Sequence, residues 1–350
     1  MKHSRNMISK NSTMVLLIAI LSISGSLILS GCTHRSSADD GKKKSISVKD
    51  ALGHAIELDR PVERIVCLYE PALDALYMLK AEAKIVGIFN GIYTSDELFP
   101  YYAKLDDRIQ QKQLAVPGNN GDGNIESIMM LNPDIVILQA AQEELAAALR
   151  SVGVKVYTAN VEKYDEVFQT MRDLALLTGT PERAHELIAY VEAEYAVMKA
   201  RSSTLQAKKK AYFSWAHGRI FPTAGRNSMM NFCLEIAGVE NACPFELDQP
   251  NINPETLLDW NPDLIIMWND SPNEFYKRKE LGEVSAVKNK QIYNLLPMFF
   301  YNPHTLKSLS TAVSIHNWAY PSPDVNVKHQ VELIMLKLYG EKGKALAPLI

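Results

Sequence analysis

The feature that most constrains this chain is a fifteen-residue pattern that occurs twice, at 124–138 and at 253–267, 129 residues apart. The two copies agree at six positions, among them the first Asn, a Glu two residues later and an Asn-Pro-Asp tripeptide. Each copy predicts a short helix that begins after the first Asn and ends at Asn-Pro-Asp. An unalternated apolar run follows, which is typical of a parallel strand buried on both faces. Two such units predict an α/β molecule built from two similar lobes.

The sequence around the two copies alternates between short apolar runs and helical patterns. It predicts a hairpin at 45–58, buried strands at 65–68, 84–88 and 154–157, and helices at 71–79, 142–151 and 163–178. The stretch 89–124 is rich in turn residues, and we expect a long functional loop there. The second half predicts strands at 211–215 and 291–295, with helices at 228–237, 305–320 and 325–339. This order predicts parallel sheets with helices on their faces.

One helical run is much longer than the others. It begins at Pro181 and continues to about residue 206 with no Gly or Pro inside it. At 1.5 Å per residue such a helix spans roughly 35–40 Å, about the width of a small domain. We expect it to join two lobes as a rigid strut, and a long surface helix of one lobe is the alternative.

Residues 1–31 predict an export signal, because three basic residues within the first ten precede an apolar stretch too short for an ordinary membrane span. The segment Leu29-Ser30-Gly31-Cys32 resembles the bacterial lipobox, in which the Cys becomes the lipidated first residue. An ordinary signal peptide and an uncleaved anchor are the alternatives. Residues 32–44 are polar and predict a flexible tether. We therefore expect an extracytoplasmic protein that Cys32 anchors by lipid to the bacterial cell membrane, facing the periplasm or the cell surface.

Charge and cysteine content exclude several classes of partner. Beyond the predicted signal the chain carries 34 basic and 40 acidic side chains, which argues against nucleic acid. Cys67 lies in a predicted buried strand and is expected to be an inert core thiol, whereas Cys233 and Cys243 either pair or stay free. No Cys-x-x-Cys occurs, so a thiolate zinc site is not expected.

Beyond the two copies, the segments 48–53, 63–68, 223–225 and 234–238 complete a pattern that resembles the bacterial substrate-binding proteins for ferric siderophores, haem and cobalamin. The resemblance covers nearly everything after the tether. It implies an α/β fold with two Rossmann-like lobes, each with a central parallel sheet, joined by a single long helix, with the ligand cleft between the lobes. On this basis we expect an N-terminal lobe at 45–180, a connecting helix at 181–207 and a C-terminal lobe at 208–350.

Ligand contacts are expected on loops that follow strands, where α/β sheets generally bind ligands. The candidates are aromatic or polar side chains that suit a macrocycle or an anionic chelate: Tyr69, Tyr93, Trp215, His217, Arg219, Arg226, Tyr301 and His304. Core packing is the alternative for each aromatic residue. His217, His304 and Tyr301 are of types that ligate haem or ferric iron, although no metal ligand is assigned.

The chain contains no Gly-x-Ser-x-Gly, Gly-x-x-x-x-Gly-Lys or His-Glu-x-x-His motif, so binding rather than catalysis is expected. The resemblance implies the binding component of an ABC importer, a monomer that delivers an iron(III) chelate to a permease dimer with its ATPase. A haem- or cobalamin-type macrocycle receptor and a ligand-sensing lipoprotein are the alternatives, and no intrinsic cofactor is expected. In the resembling family one surface Glu per lobe meets arginines of the permease, and Glu126 and Glu255 match these positions. Helix capping is the alternative role for both.

Overall fold

The computed structural model describes residues 45–119, 122–215 and 219–350. Cys32, the predicted export signal and tether, and His217 lie outside the described residues. Among the residues that are described, no helix is both long enough and apolar enough to cross a membrane.

A hairpin and a six-stranded sheet form the N-terminal lobe. The strands are β1 (Ile46–Lys49), β2 (Ala55–Leu58), β3 (Ile65–Cys67), β4 (Ile85–Phe89), β5 (Ala115–Asn119), β6 (Asp122–Gly123), β7 (Ile135–Gln139) and β8 (Val156–Ala159). Strands β1 and β2 pair with each other, and the sheet has the order β6-β5-β4-β3-β7-β8, parallel except at β6. Every residue of β3 is buried, as predicted from its unalternated apolar sequence.

The helices of this lobe are α1 (Glu70–Met78), α2 (Gly91–Thr94), α3 (Phe99–Leu105), α4 (Asp107–Gln110), α5 (Ile125–Met130), α6 (Glu143–Ser151) and α7 (Tyr164–Thr178). The long loop predicted at 89–124 is wrong, because α2, α3, α4, β5 and β6 lie within it. These elements have two to seven residues and are too short for hydrophobic periodicity to indicate. One local signal was present, since the Asp106 side chain accepts a hydrogen bond from the Arg108 backbone N–H at the start of α4.

The C-terminal lobe repeats the central part of this sheet. Its strands are β9 (Lys210–Ser214), β10 (Glu240–Asn241), β11 (Leu264–Trp268) and β12 (Ile292–Leu295). They are parallel and have the order β10-β9-β11-β12, which matches β4-β3-β7-β8 in chain order and position. The duplicated sequence is therefore a duplicated fold, with β11 in the place of β7.

The connecting helix is α8 (Pro181–Ser203), and its 23 residues span about 35 Å. It is followed by α9 (Met229–Ile236), α10 (Pro254–Trp260), α11 (Asn273–Tyr276), α12 (Ser285–Lys288), α13 (Ser308–Ala319), α14 (Val327–Tyr339) and α15 (Gly343–Leu346). Arg183, in the first turn of α8, donates hydrogen bonds to the carbonyl oxygens of Met78 and Leu338 at 3.1 and 2.9 Å. The start of α8 is thereby fixed to α1 and to α14.

The apolar core continues from one lobe into the other. A single cluster of buried side chains includes Ile65 and Leu76 of the N-terminal lobe together with Phe213, Leu309 and other C-terminal residues. A second, smaller cluster lies on the other face of the C-terminal sheet, around Ile265. An interface that shares one apolar core resists relative motion of its two sides.

The three described cysteines are free and buried. Burial raises the pKa of the Cys67 thiol to about 12, which keeps it protonated and unreactive as expected. Cys233 and Cys243 are not joined, so the structure selects the free thiols from the two alternatives.

Candidate functional site

The loops at the carboxyl ends of the two sheets contact each other directly. His304 Nδ1 lies 2.9 Å from the carbonyl oxygen of Val161, which follows β8. Asn269, which follows β11, donates a hydrogen bond to the Glu97 carboxylate of the N-terminal lobe. The cleft between the lobes is therefore bordered by the loops that parallel α/β sheets use for binding.

Tyr69 lies at the carboxyl end of a strand in the N-terminal sheet and belongs to the apolar core that both lobes share. Tyr69 directly follows β3 and is 5% exposed. Burial raises the pKa of its hydroxyl, and Glu162 contributes in the same direction. Glu162 is the neighbour in sequence of Val161, whose carbonyl contacts His304. Tyr69 remains a neutral hydroxyl at physiological pH and can donate one hydrogen bond.

The contact with Val161 determines which nitrogen of His304 is available. A carbonyl oxygen only accepts hydrogen bonds, so Nδ1 must carry the proton. In the neutral ring Nε2 then holds the lone pair, the form that accepts a hydrogen bond or ligates a metal. Asp248 lies near this ring: burial raises the pKa of Asp248, and His304 opposes the rise.

Glu70, at the start of α1, occupies the boundary between the lobes. Its Oε1 accepts a hydrogen bond from the Tyr102 hydroxyl at 2.8 Å, and its Oε2 accepts one from Asn302 Nδ2 at 2.9 Å. Burial raises the pKa of the Glu70 carboxyl to about 7, and the Asp74 carboxylate acts in the same direction while Lys307 opposes it. The Asn302 Oδ1 atom accepts from the backbone N–H of His304 at 3.0 Å. Glu70 and Asn302 together orient the His304 loop.

Trp215 forms an aromatic group at the end of β9. Its ring meets Phe213 edge to face at 4.9 Å between centroids and Trp268 at 6.1 Å. Its indole N–H is buried and has no acceptor among the described residues. Arg219, close by in sequence, is exposed and forms no ion pair within the part of the chain that is described. Among the described residues, Trp215 and Arg219 therefore both have hydrogen-bond donors without a partner.

The other predicted residues are placed differently. The Tyr93 hydroxyl donates to the carbonyl of Leu114 and accepts from its N–H, so it fastens α2 to the segment before β5. Tyr301 is 7% exposed and belongs to the shared apolar core. Arg226 is exposed and lines a surface depression of about 380 Å³ with Lys208 beside α9 and β10. Their assignment to a ligand site remains a prediction.

Glu126 and Glu255 occupy equivalent positions on equivalent helices. Each is exposed, each is the second residue of its helix, and neither has an ion-pair or hydrogen-bond partner among the described residues. The caps are supplied by the preceding asparagines: Asn124 accepts from the Ser127 N–H and Asn253 from the Thr256 N–H, both at 2.8 Å.

Sequence reasoning missed the polar residues that join the lobes, above all Asn302 and the buried pair Asp74 and Lys307. One signal was available, because Asp74 interrupts the apolar face that Leu73 and Leu76 give to α1. A charge at a core position indicates a buried partner. Within the described ranges no group of three or more His, Cys, Asp or Glu side chains is arranged to hold a metal ion.

Known proteins are similar to this chain in sequence and in fold. The molybdate-binding protein MolA of Haemophilus influenzae is 21% identical over 302 residues, which cover 79% of this chain and 80% of that protein. Its structure with bound molybdate has a TM-score of 0.71 at 18% identity and covers 84% of this chain and 97% of that one. The iron(3+)-hydroxamate-binding protein FhuD of Bacillus subtilis is 22% identical, covering 82% and 89%. The vitamin B12-binding protein of Salmonella typhimurium is 28% identical over 41% of this chain and 54% of its own length.

The family model described as periplasmic binding protein matches residues 65–297, which is more than half of the chain. Proteins of this family bind small molecules outside the cytoplasm, work with ABC-transporter permeases and carry no intrinsic cofactor. This chain belongs to the periplasmic binding protein family.

Proposed function

We propose that this protein is the lipid-anchored receptor of an ABC importer and that it captures an iron(III) chelate or a related metal complex in the cleft between its lobes. The observation that carries the proposal is the contact of His304 with the carbonyl of Val161, the neighbour of Glu162 in sequence, where loops at the carboxyl ends of both sheets meet. Tyr69 directly follows β3 on the N-terminal side. These groups supply a neutral hydroxyl, a carboxylate and an imidazole lone pair. Side chains of these types can hold a preformed complex.

A metal complex suits this set because it brings most of its own ligands. His304 Nε2 can fill one open coordination position or accept a hydrogen bond from the chelator. Trp215 offers a flat apolar surface and an indole N–H that has no acceptor within the described ranges, and the exposed Arg219 can pair with an anionic oxygen. The names of the relatives cover molybdate, vitamin B12 and ferric hydroxamate, which supports metal-containing ligands as a class.

The experiment for the ligand is native mass spectrometry of the protein purified from the growth medium of its own source. We expect a bound small molecule whose isotope pattern contains a metal and which denaturation releases. A bound ligand without metal contradicts the chelate assignment. The receptor role is then tested separately, by measuring uptake of that ligand into cells.

The membrane attachment is proposed for Cys32, which lies outside the described residues. The motivation is the lipobox-like sequence that ends at this residue. Stable anchoring needs two acyl chains or more, so an unlipidated protein is released once its signal has been cleaved. Cys32→Ser protein that is processed and still sediments with membranes contradicts this role.

The proposed partner is a permease with two-fold symmetry. Glu126 and Glu255 present the same charge at equivalent places on the two lobes, as a two-fold partner requires. Because the asparagines already supply the caps, capping does not require either glutamate. Their exposed carboxylates support docking against basic side chains of the partner.

A further inference from the structure

An ion pair is completely buried where the two lobes meet. Asp74 of α1 and Lys307, the residue before α13, both have fully buried side chains, and Lys307 Nζ lies 2.9 Å from Asp74 Oδ2. The contact lacks hydrogen-bond geometry, and the ammonium has no hydrogen-bond partner among the described residues. Removing both charges from water is costly, and such a contact compensates the cost incompletely. Stability is therefore a poor explanation for this pair.

The pair is connected to both lobes by further polar and aromatic contacts. The Tyr339 hydroxyl of α14 donates a hydrogen bond to Asp74 Oδ1. The Lys307 ammonium lies over the ring of Phe299, 3.7 Å from its centroid, and that ring stacks on Tyr101 of α3 at 4.8 Å. One turn before Asp74 in α1, Glu70 accepts the hydrogen bond from Asn302 that was described above. We call Glu70, Asp74, Asn302, Lys307 and Tyr339 the interlobe cluster.

The surroundings of the interlobe cluster are apolar. Leu73 and Leu76 on one side and Leu306 and Leu309 on the other are fully buried in the core shared by both lobes. The shared apolar core resists large relative motion, but apolar contacts are non-directional and specify a single arrangement less strictly than a charged pair does. The ion pair is different, because a slip that separates Lys307 from Asp74 leaves each charge buried without the opposite charge of the pair.

We propose that Asp74 and Lys307 are positioning residues that select one relative arrangement of the two lobes and thereby fix the geometry of the cleft. The link to the cleft is short: Glu70 and Asn302 belong to the same cluster, and Asn302 holds the backbone N–H of His304. The role in ligand binding rests on the proposed function. The role in lobe arrangement does not depend on it.

The test replaces the charged centre by apolar side chains of similar volume, in the triple variant Asp74→Leu/Lys307→Met/Tyr339→Phe. Spin labels are attached in the full chain at Glu144→Cys and Asp259→Cys, exposed positions on α6 and α10, while the three described native thiols are buried. Pulsed electron paramagnetic resonance without ligand then measures the distance between the lobes. We expect one narrow distance in the parent protein and a broadened or split distribution in the triple variant.

The matched control is Glu186→Ala/Lys337→Ala, which removes an exposed pair of 2.6 Å between α8 and α14. It should leave the narrow distance unchanged. The triple variant should melt within about 10 °C of the parent or above it, since apolar replacements of buried pairs are often neutral or stabilising. An unchanged narrow distance in the triple variant overturns the proposal. A variant that melts far lower or does not fold also overturns it, because the cluster then holds the fold itself. Because no ligand is present, neither result bears on the receptor role.

Discussion

Folding raises the pKa of the Glu70 carboxyl, and this shift can be tested through the pH dependence of stability. Its carboxyl is surrounded by Asp74, Lys307, Tyr102 and Asn302, and burial outweighs the groups that favour its charged form. In the unfolded chain a glutamate loses its proton near pH 4.5, whereas Glu70 in the folded protein keeps it up to about pH 7. Its contribution to stability is therefore fully present below about pH 4.5 and is lost as the pH rises through 7.

We predict that Glu70→Gln weakens the dependence of stability on pH between 5 and 8. The amide stays neutral, and it can accept from Asn302 and donate to the Tyr102 oxygen. The parent should lose about 1–3 kcal/mol more unfolding free energy than the variant over this interval, since one pKa unit corresponds to about 1.4 kcal/mol. Urea unfolding at pH 5 and 8 measures both values. Glu144→Gln, at an exposed site, is the control, and equal slopes for Glu70→Gln and the parent would refute the prediction.

At the scale of elements, hydrophobic patterning accounts for the strands and the long helices. β3, β7, β9 and β11 were predicted because buried parallel strands read as continuous apolar runs. The helix at 181–206 was predicted to within three residues of its observed end at Ser203. The missed elements, such as α2, α3 and β10, have two to seven residues, and contacts with the rest of the fold determine them more than local pattern.

The cleft was predicted less completely than the strands. The rule that ligands bind after parallel strands indicated Tyr69 and His304, and His304 does contact the segment after β8 of the other lobe. It gave no indication that Glu70 pairs with Asn302, which is 232 residues away in sequence. Such a pair depends on how two finished lobes are placed against each other, which local sequence does not encode. Tyr93 was indicated by the same rule, but its hydroxyl forms hydrogen bonds with the backbone N–H and carbonyl of Leu114.

The helices α5 and α10 carry the prediction for docking. In Glu126→Arg/Glu255→Arg we expect uptake of the ligand to be abolished, while ligand affinity stays at the parental value. Each reversal also places a positive charge at a helix N-terminus, which costs about 0.3–1 kcal/mol. Radiolabelled uptake in cells measures transport, and titration of the purified protein measures affinity.

Glu182→Arg is the matched control for this variant. Glu182 is likewise the exposed second residue of a helix that begins with Pro181, and it has no ion-pair partner among the described residues. It should show the same small loss of stability and normal uptake. Import at the parental rate by Glu126→Arg/Glu255→Arg would contradict the docking role. The interaction with the helix dipole would then be the whole role of the two glutamates.

At the scale of the whole molecule, the shared core makes the two lobes one cooperative unit. Apolar residues of both sheets belong to one buried cluster, and α8 is fixed at its start to α1 and α14. Two domains that share only a small polar interface unfold separately, whereas a continuous apolar interface couples them.

We therefore predict a single unfolding transition in differential scanning calorimetry. The calorimetric and van 't Hoff enthalpies should agree, as they do for two-state proteins. Two resolved transitions, or a van 't Hoff enthalpy near half the calorimetric one, would show that the lobes unfold independently.

The buried pair of Asp74 and Lys307 also has a consequence for the folding chain. The two residues meet only when both lobes exist, and Tyr339 reaches Asp74 across 265 residues of sequence. An intermediate with one lobe formed therefore exposes a hydrated charge at the centre of the surface that the other lobe will cover. A bare apolar surface of that kind favours aggregation, and a charge within it keeps the intermediate soluble. In any state with only one lobe formed, the same two side chains would disfavour aggregation of that lobe.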